Sequence, residues 1–232
     1  MPDYVGHHHA GGALVLDRFT WFRQSAMRYA GDGMTLYIDP WGTRPEDAPA
    51  DLILLTHAHF DHFQPEEIER LRMPDTKLIA PHDVARELSG DVTPVAPGES
   101  HEVSGLRFTT VPAYNIAEQR LQAHPKENNW VGYVLELDGR TYYHSGDTDH
   151  AAELNDVRAD VAMVCIGGDP FTMNPEEAAG LVRTIGPALA VPMHFGFVVG
   201  DRSDADRFRE AVAPIDVQVL DPKAGWGPPP DG

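Results

Sequence analysis

Three scarcities in this chain each exclude a class of protein. It has one cysteine, Cys165, in 232 residues, so neither a disulfide framework nor a thiolate metal cluster can be built. Cys165 lies in the apolar run 161–166, where a thiol is inert core packing and suits a reducing compartment. Basic residues are scarce as well: 18 Lys and Arg stand against 36 Asp and Glu, for a net charge of −18. A surface of that sign repels nucleic acid and anionic membrane, which leaves a small molecule as the expected partner. No apolar run approaches the roughly eighteen residues of a membrane-spanning helix, and Met1-Pro2-Asp3-Tyr4 is not a basic region followed by an apolar stretch. A cytoplasmic location is therefore expected. A Gly-x-Ser-x-Gly elbow is also missing, so no serine nucleophile is indicated.

What is present suits one α/β domain. A 42% hydrophobic content is ample for a full core, and turn signals recur without a linker through residues 13–222. Residues 1–12 read as a flexible segment. They contain His7-His8-His9, native or a tag remnant, which could bind metal adventitiously and are left out of the site. Residues 223–232 are rich in Gly and Pro and read as a loose tail. A homo-oligomer is compatible with all of this.

Period-2 patterns predict strands over 14–21, 27–38 with a turn at Gly31-Asp32-Gly33, 76–80, 106–111, 130–137, 140–144, 160–166, 188–193 and 217–220. Helices are expected over 65–73, 81–89, from the cap Asn174 to Gly186, and over 203–213 with Ser203 and Asp206 approximating a capping box. Residues 113–129 have no period, and a long irregular loop in a compact domain is more often functional than not. Strands dominate early and strand-helix alternation recurs in both halves, which suggests two sheets packed face to face with helices outside.

The chemistry concentrates in Thr56-His57-Ala58-His59-Phe60-Asp61-His62, directly after the apolar run Leu52-Ile53-Leu54-Leu55. A buried strand that ends in imidazoles and a carboxylate delivers metal ligands at its C-terminal end. In an extended segment His57 and His59 lie on one side and can reach one ion. Asp61 and His62 point away from that pair, which favours a second ion beside the first. The pattern repeats later: a strand runs into Ser145-Gly146-Asp147-Thr148-Asp149, and another ends at His194. Asp39 fits equally a turn residue and a support for a ligand.

His-x-His-x-Asp-His after a buried strand resembles the signature of the metallo-β-lactamase-fold hydrolases, and the similarity runs from about Phe19 to about Gly196. The segments His124-Pro125-Lys126-Glu127-Asn128-Asn129-Trp130-Val131-Gly132-Tyr133, Gly146-Asp147-Thr148-Asp149 and Pro192-Met193-His194-Phe195-Gly196 look most like an ascorbate-6-phosphate lactonase-like branch. The resemblance implies a four-layer αβ/βα sandwich of two mixed sheets. It also implies two divalent ions, one held by His57, His59 and a third imidazole, the other by Asp61, His62 and His194, with Asp147 bridging. Histidines and carboxylates suit Zn²⁺ first, with Mn²⁺ or Fe²⁺ compatible. The expected activity is hydrolysis of a small lactone or phosphate ester by a metal-bound hydroxide, with Asp61 orienting the nucleophile as well as ligating. The alternatives are a phosphodiesterase on a larger substrate and a non-catalytic metal-binding member of the fold.

One departure from the pattern concerns the third imidazole. Many relatives carry it just after the strand that ends here at Val111, where this chain has Asn115, and an amide oxygen is a poor substitute at zinc. His124, stiffened by Pro125, is the proposed replacement, with Asn115 as a neighbouring hydrogen-bonding group. Otherwise Asn115 or water completes the shell.

Overall fold

The computed structural model describes residues 16–31, 33–223 and 225–227. One six-stranded sheet holds β1 (Phe19–Trp21), β2 (Met27–Gly31), β3 (Met34–Ile38), β4 (Ala50–Leu54), β5 (Arg72–Pro81) and β6 (Val92–Val95), in chain order across the sheet. β1 to β3 pair antiparallel and β3 to β6 parallel. A seven-stranded sheet holds β7 (Ser100–Val103), β8 (Leu106–Pro112), β9 (Val131–Leu137), β10 (Arg140–His144), β11 (Val161–Cys165), β12 (Leu189–Met193) and β13 (Asp216–Val217), again in order. Here β7 to β10 are antiparallel and β10 to β13 parallel. Both sheets are therefore mixed.

The period of two along each strand explains the layering. In the parallel β4, Leu52 and Leu54 enter the core shared with the second sheet, while Ile53 and the following Leu55 enter a second cluster on the outer face. That outer cluster includes Ile68 and Leu71 of α1 (Pro65–Leu71) and Val84 of α2 (His82–Ala85). A strand covered on both faces has to be apolar throughout, which is why β4 reads as an unbroken run. On the far side, α3 (Pro175–Ile185) packs on β11 and α4 (Asp204–Val212) on α3. The result is a four-layer αβ/βα sandwich.

The capping of α3 is as expected: Asn174 accepts from the Glu177 N–H, the Glu177 side chain accepts from the Asn174 N–H, and Gly186 ends the helix at φ 67°. Other boundaries need correction. α1 stops at Leu71 because Arg72 already pairs with Ala50, and the helix expected over 81–89 is only the four residues of α2. Ser203 has helical φ and ψ and no capping bond; its hydroxyl donates to Asp201 instead. β6 and β7 are additional to the expected strands, and the last strand pairs only at Asp216 and Val217. The first strand begins at Phe19 within the described residues, and Asp32 of the expected turn lies outside them, as do residues 1–12 with His7-His8-His9. Of the segment 223–232, the described Trp226 packs against Trp21 and Phe195.

Candidate metal centre

The parallel strands of both sheets release their C-terminal loops into one cleft, the place where α/β sheets gather functional groups. From the first sheet, β4 runs into Thr56, whose N–H donates to Asp39 Oδ1 at 2.7 Å and whose hydroxyl donates to Asp39 Oδ2 at 2.6 Å. Asp39, just past β3, is fully buried and holds φ 48°. With its proton so committed, Thr56 Oγ1 accepts from His57 Nδ1 at 2.8 Å, and His62 Nδ1 donates to Asp39 Oδ2 at 2.7 Å. Both rings are thereby fixed with Nε2 facing the cleft, the usual arrangement behind a metal-binding imidazole. His59 presents its other nitrogen, Nδ1, 3.2 Å from His57 Nε2.

The second sheet supplies the rest. Asp147 follows β10 through Gly146, whose φ is 58° and where a Cβ would lie 3.1 Å from Thr56 Cβ and from the Val131 carbonyl. Only glycine lets this loop approach Thr56 so closely. His194 follows β12 in the left-handed region at φ 58°, held by its N–H donating to the Gln24 carbonyl at 2.9 Å. Gly167 lies against it, with space for no Cβ: one would sit 2.4 Å from the His194 carbonyl. His124 comes from the irregular segment 113–129. Its Nδ1 donates to the Phe171 carbonyl at 3.1 Å, which leaves Nε2 free, 3.3 Å from His57 Nε2.

Three sets of candidate ligand atoms each lie within 4.8 Å of one another: in Asp39-His57-His62 the carboxylate is already taken by Thr56 and His62 Nδ1, which leaves two groups for an ion, His57-His59-His124 and Asp61-His62-His194. Between them Asp147 Oδ2 is 2.9 Å from His194 Nε2, 3.4 Å from His62 Nε2, 3.5 Å from His124 Nε2 and 3.9 Å from His57 Nε2. Asp61 Oδ2 is 3.4 Å from His194 Nε2 and 3.6 Å from His62 Nε2. All seven sequence-derived candidates thus share one site. Asn115 does not face it. Its amide donates to the carbonyls of Arg120 and Phe171 at 3.0 and 2.7 Å and lies 3.1 Å from His124 Nδ1, behind that ring.

The residues fit a metal centre on their own evidence. His62 Nε2, His194 Nε2 and Asp147 Oδ1 are buried with no hydrogen-bond partner, a costly state for groups that could instead coordinate an ion. The electrostatics agree. Burial, with His62 and His124 adding repulsion, pushes His57 well below its usual range, and burial takes His59 down to about 4. Burial also disfavours a charged His62 or His194, but Asp147 and the other carboxylates outweigh it, raising His62 well above its ordinary value and His194 to about 9. Asp147 in turn sits well below its usual range, because His194 and His62 overcome the cost of burying its charge. Around neutrality the metal-free site is two imidazolium ions packed on carboxylates.

A cation must displace those protons. Zinc binding is expected to release protons at about pH 7 and to tighten as the pH rises towards the His194 value of about 9; calorimetry in buffers of different ionisation heat measures both. The sign for folding is opposite. A raised histidine stabilises the metal-free fold fully below its ordinary 6.5, and the contribution is lost as pH rises through about 9.

Three contributors escaped the sequence. Thr56 joins His57 to Asp39 with no signal beyond its place in the motif. Phe171 supplies the carbonyl that orients His124, and the Thr172 and Met173 that follow it are fully buried. Arg120, an isolated arginine in an irregular loop, is only 3% exposed and anchors that loop. Its Nε is 3.0 Å from Asp149 Oδ1, its Nη1 donates to the Thr172 carbonyl and Glu177 Oε2 at 2.7 and 2.8 Å, and its Nη2 to Glu177 Oε1 at 3.0 Å. His144, His150 and Lys126 have partners of their own. His144 donates to the Ser25 carbonyl at 2.8 Å, His150 bonds Asn155, and Lys126 pairs with Glu153. Cys165 is core, its thiol pushed up to about 12 by burial.

Two mixed sheets between helices, with a His and Asp cluster at their shared edge, define the metallo-β-lactamase fold, and the comparisons agree. The model of the β-lactamase superfamily domain matches residues 18–194, and the chain belongs to that superfamily as a metal-dependent hydrolase. It is 34% identical over 204 residues to a UPF0173 metal-dependent hydrolase of Thermococcus kodakarensis, covering 81% of this chain and 89% of the relative. One from Methanopyrus kandleri is 30% identical over 221 residues, covering 88% and 95%. Among solved structures, a protein of Parabacteroides distasonis superposes with a TM-score of 0.79 at 28% identity, covering 87% of this chain and 91% of that one. A metallo hydrolase of Ignicoccus hospitalis gives 0.71 at 26%, covering 88% and 94%. No helix among the described residues is long and apolar enough to cross a membrane.

Proposed function

We propose that the chain is a dinuclear hydrolase of a small molecule, attacking a lactone or phosphate ester, with His57, His59 and His124 holding one ion, Asp61, His62 and His194 the other, and Asp147 shared. The observation that carries this reading is the place of Asp147 Oδ2, within 2.9–3.9 Å of ring nitrogens from both groups. When bound there, two divalent ions, zinc being the first choice, would lower the pKa of water towards about 7 and polarise the substrate oxygen. The chain's own residues do the rest. Asp61 lines the recess above the site. Burial raises its pKa, but His62 and His194 more than offset this and keep it ionised, so it accepts a hydrogen bond from the attacking water and orients it. Asp39 and Thr56 hold the His57 and His62 rings, and the Phe171 carbonyl holds His124. The lactonase-like segments around His124, Asp147 and His194 favour a lactone. The chain's charge of −18 weighs against a polyanionic phosphodiester.

Metal analysis tests the reading. With His7, His8 and His9 replaced by serine to remove adventitious binding, the zinc-supplemented protein is expected to hold about two ions per chain, the number its two ligand groups can take. His124→Ala should hold about one, since a pair of imidazoles at the first group is a poor zinc site. One ion or fewer in the parent protein overturns the dinuclear reading. Two ions and full activity in His124→Ala overturn the role of His124.

A further inference from the structure

The recess above the candidate centre has a volume of about 130 Å³, the space of roughly four waters. His59, Asp61, Asp147 and His194 form its polar side, and Phe60, Phe171 and Val198 form the rest. Phe60 is 59% exposed and Val198 40%, so apolar side chains stand in water at the mouth, an arrangement that marks a place for an apolar group. The Phe60 ring lies edge-on to Trp41, with centroids 5.9 Å apart. Among the described residues no lysine or arginine lines the recess. Cations of the surrounding loops have other partners: Arg120 pairs with Asp149 and Glu177, Arg23 lies against the rings of Trp41 and Phe197, Lys126 pairs with Glu153, and Arg202, in the loop of Val198, lies over the Trp226 ring.

We infer that the part of the substrate beyond the bond attacked is small, uncharged and apolar: a short-chain ester or lactone without a pendant phosphate or carboxylate. This rests on the hydrolase reading above and narrows it. The ions would meet charge developing at the reacting carbonyl. A second anion elsewhere on the substrate would enter an apolar recess with no partner, against a chain of net charge −18, and an unpaired buried charge is strongly disfavoured. A short alkyl group instead gains contact with Phe60, Phe171 and Val198. The reaction adds the oxygen of water to the carbonyl carbon, breaks the ester C–O bond and passes the water proton to the departing alkoxide.

The test uses the zinc-loaded full chain with matched probes. A five-membered lactone bearing an ethyl group is compared with the same ring bearing a carboxymethyl or phosphomethyl group. The neutral lactone is expected to show a kcat/KM at least about thirtyfold higher, within the range that pocket contacts discriminate. Binding gives a readout without turnover: by calorimetry butanohydroxamate should bind at least about tenfold tighter than the hydroxamate of equal length ending in a carboxylate. Val198→Lys places a cation at the mouth and should close or reverse that gap. Equal or better turnover and binding of the anionic probes by the wild type overturns the inference and leaves the hydrolase reading standing. If neither hydroxamate binds and no lactone or ester is turned over, the hydrolase reading falls and this inference with it.

Discussion

Asp147→Asn is expected to lower kcat/KM by at least about a thousandfold, the upper end of what one electrostatic group contributes, while the fold survives. Asp147 places one oxygen within 3.9 Å of ring nitrogens from both ligand groups, and its second oxygen has no hydrogen-bond partner. The substitution keeps the volume and removes the charge. In the metal-free protein that charge is what raises His62 and His194 against the cost of their burial, so the variant should also release fewer protons on binding zinc. Steady-state kinetics on chromogenic lactones and esters, with zinc content and circular dichroism measured on the same samples, separates lost chemistry from lost fold. Turnover within tenfold of the wild type would remove Asp147 from the centre.

The largest stability effect is expected at Arg120. Its guanidinium and Asp149 are each 3% exposed, and Asp149 Oδ2 accepts the N–H groups of Ile116 and Ala117 at 2.8 Å each. Arg120→Ala leaves the buried Asp149 without its cationic partner and takes a donor from the Thr172 carbonyl, a loss of about 3–5 kcal/mol. At roughly 2–4 °C per kcal/mol for a chain of this length, the melting temperature should fall by about 10 °C. Because the same side chain fastens the 113–129 loop to the capped end of α3 through Glu177, zinc at the His124 group should weaken too. Arg120→Lys should recover only part of the loss, since an ammonium cannot reproduce the fork. A melting temperature within about 3 °C of the wild type would show that the arginine stabilises nothing in particular.

The elements that set the architecture were legible wherever packing imposes a period. β8 alternates, and β4 is an apolar run because helices and the second sheet cover its two faces. β6 and β7 were illegible because Pro94, Pro97 and Gly98 interrupt short segments of mixed burial, and pairing with neighbours alone makes them strands. α2 was overestimated since Val84 and Leu88 share a helical spacing that four residues of helix do not use. At the site, chemical type made His57, His59, Asp61, His62, Asp147 and His194 visible in sequence. Their supports were not, because Thr56, Arg120 and the Phe171 carbonyl act through distances set by the whole fold. The left-handed backbone of Asp39 and His194 had no signal either, as both residue types are ordinary in other conformations.

The candidate centre also lies on a seam. His57, His59, Asp61 and His62 belong to the β4–α1 connection of one sheet, and His124, Asp147 and His194 to connections of the other. Away from the cleft the two sheets meet through apolar contacts, with Leu54 on one side and Met163 on the other. A cation bound across that line would fasten the two leaves of the sandwich together. At a hundred times its dissociation constant it would add about 2.7 kcal/mol to the folded state. Chelation and thermal opening of the sandwich then attack the same join. A core substitution such as Leu54→Ala would reach the chemistry by changing how far apart the leaves sit.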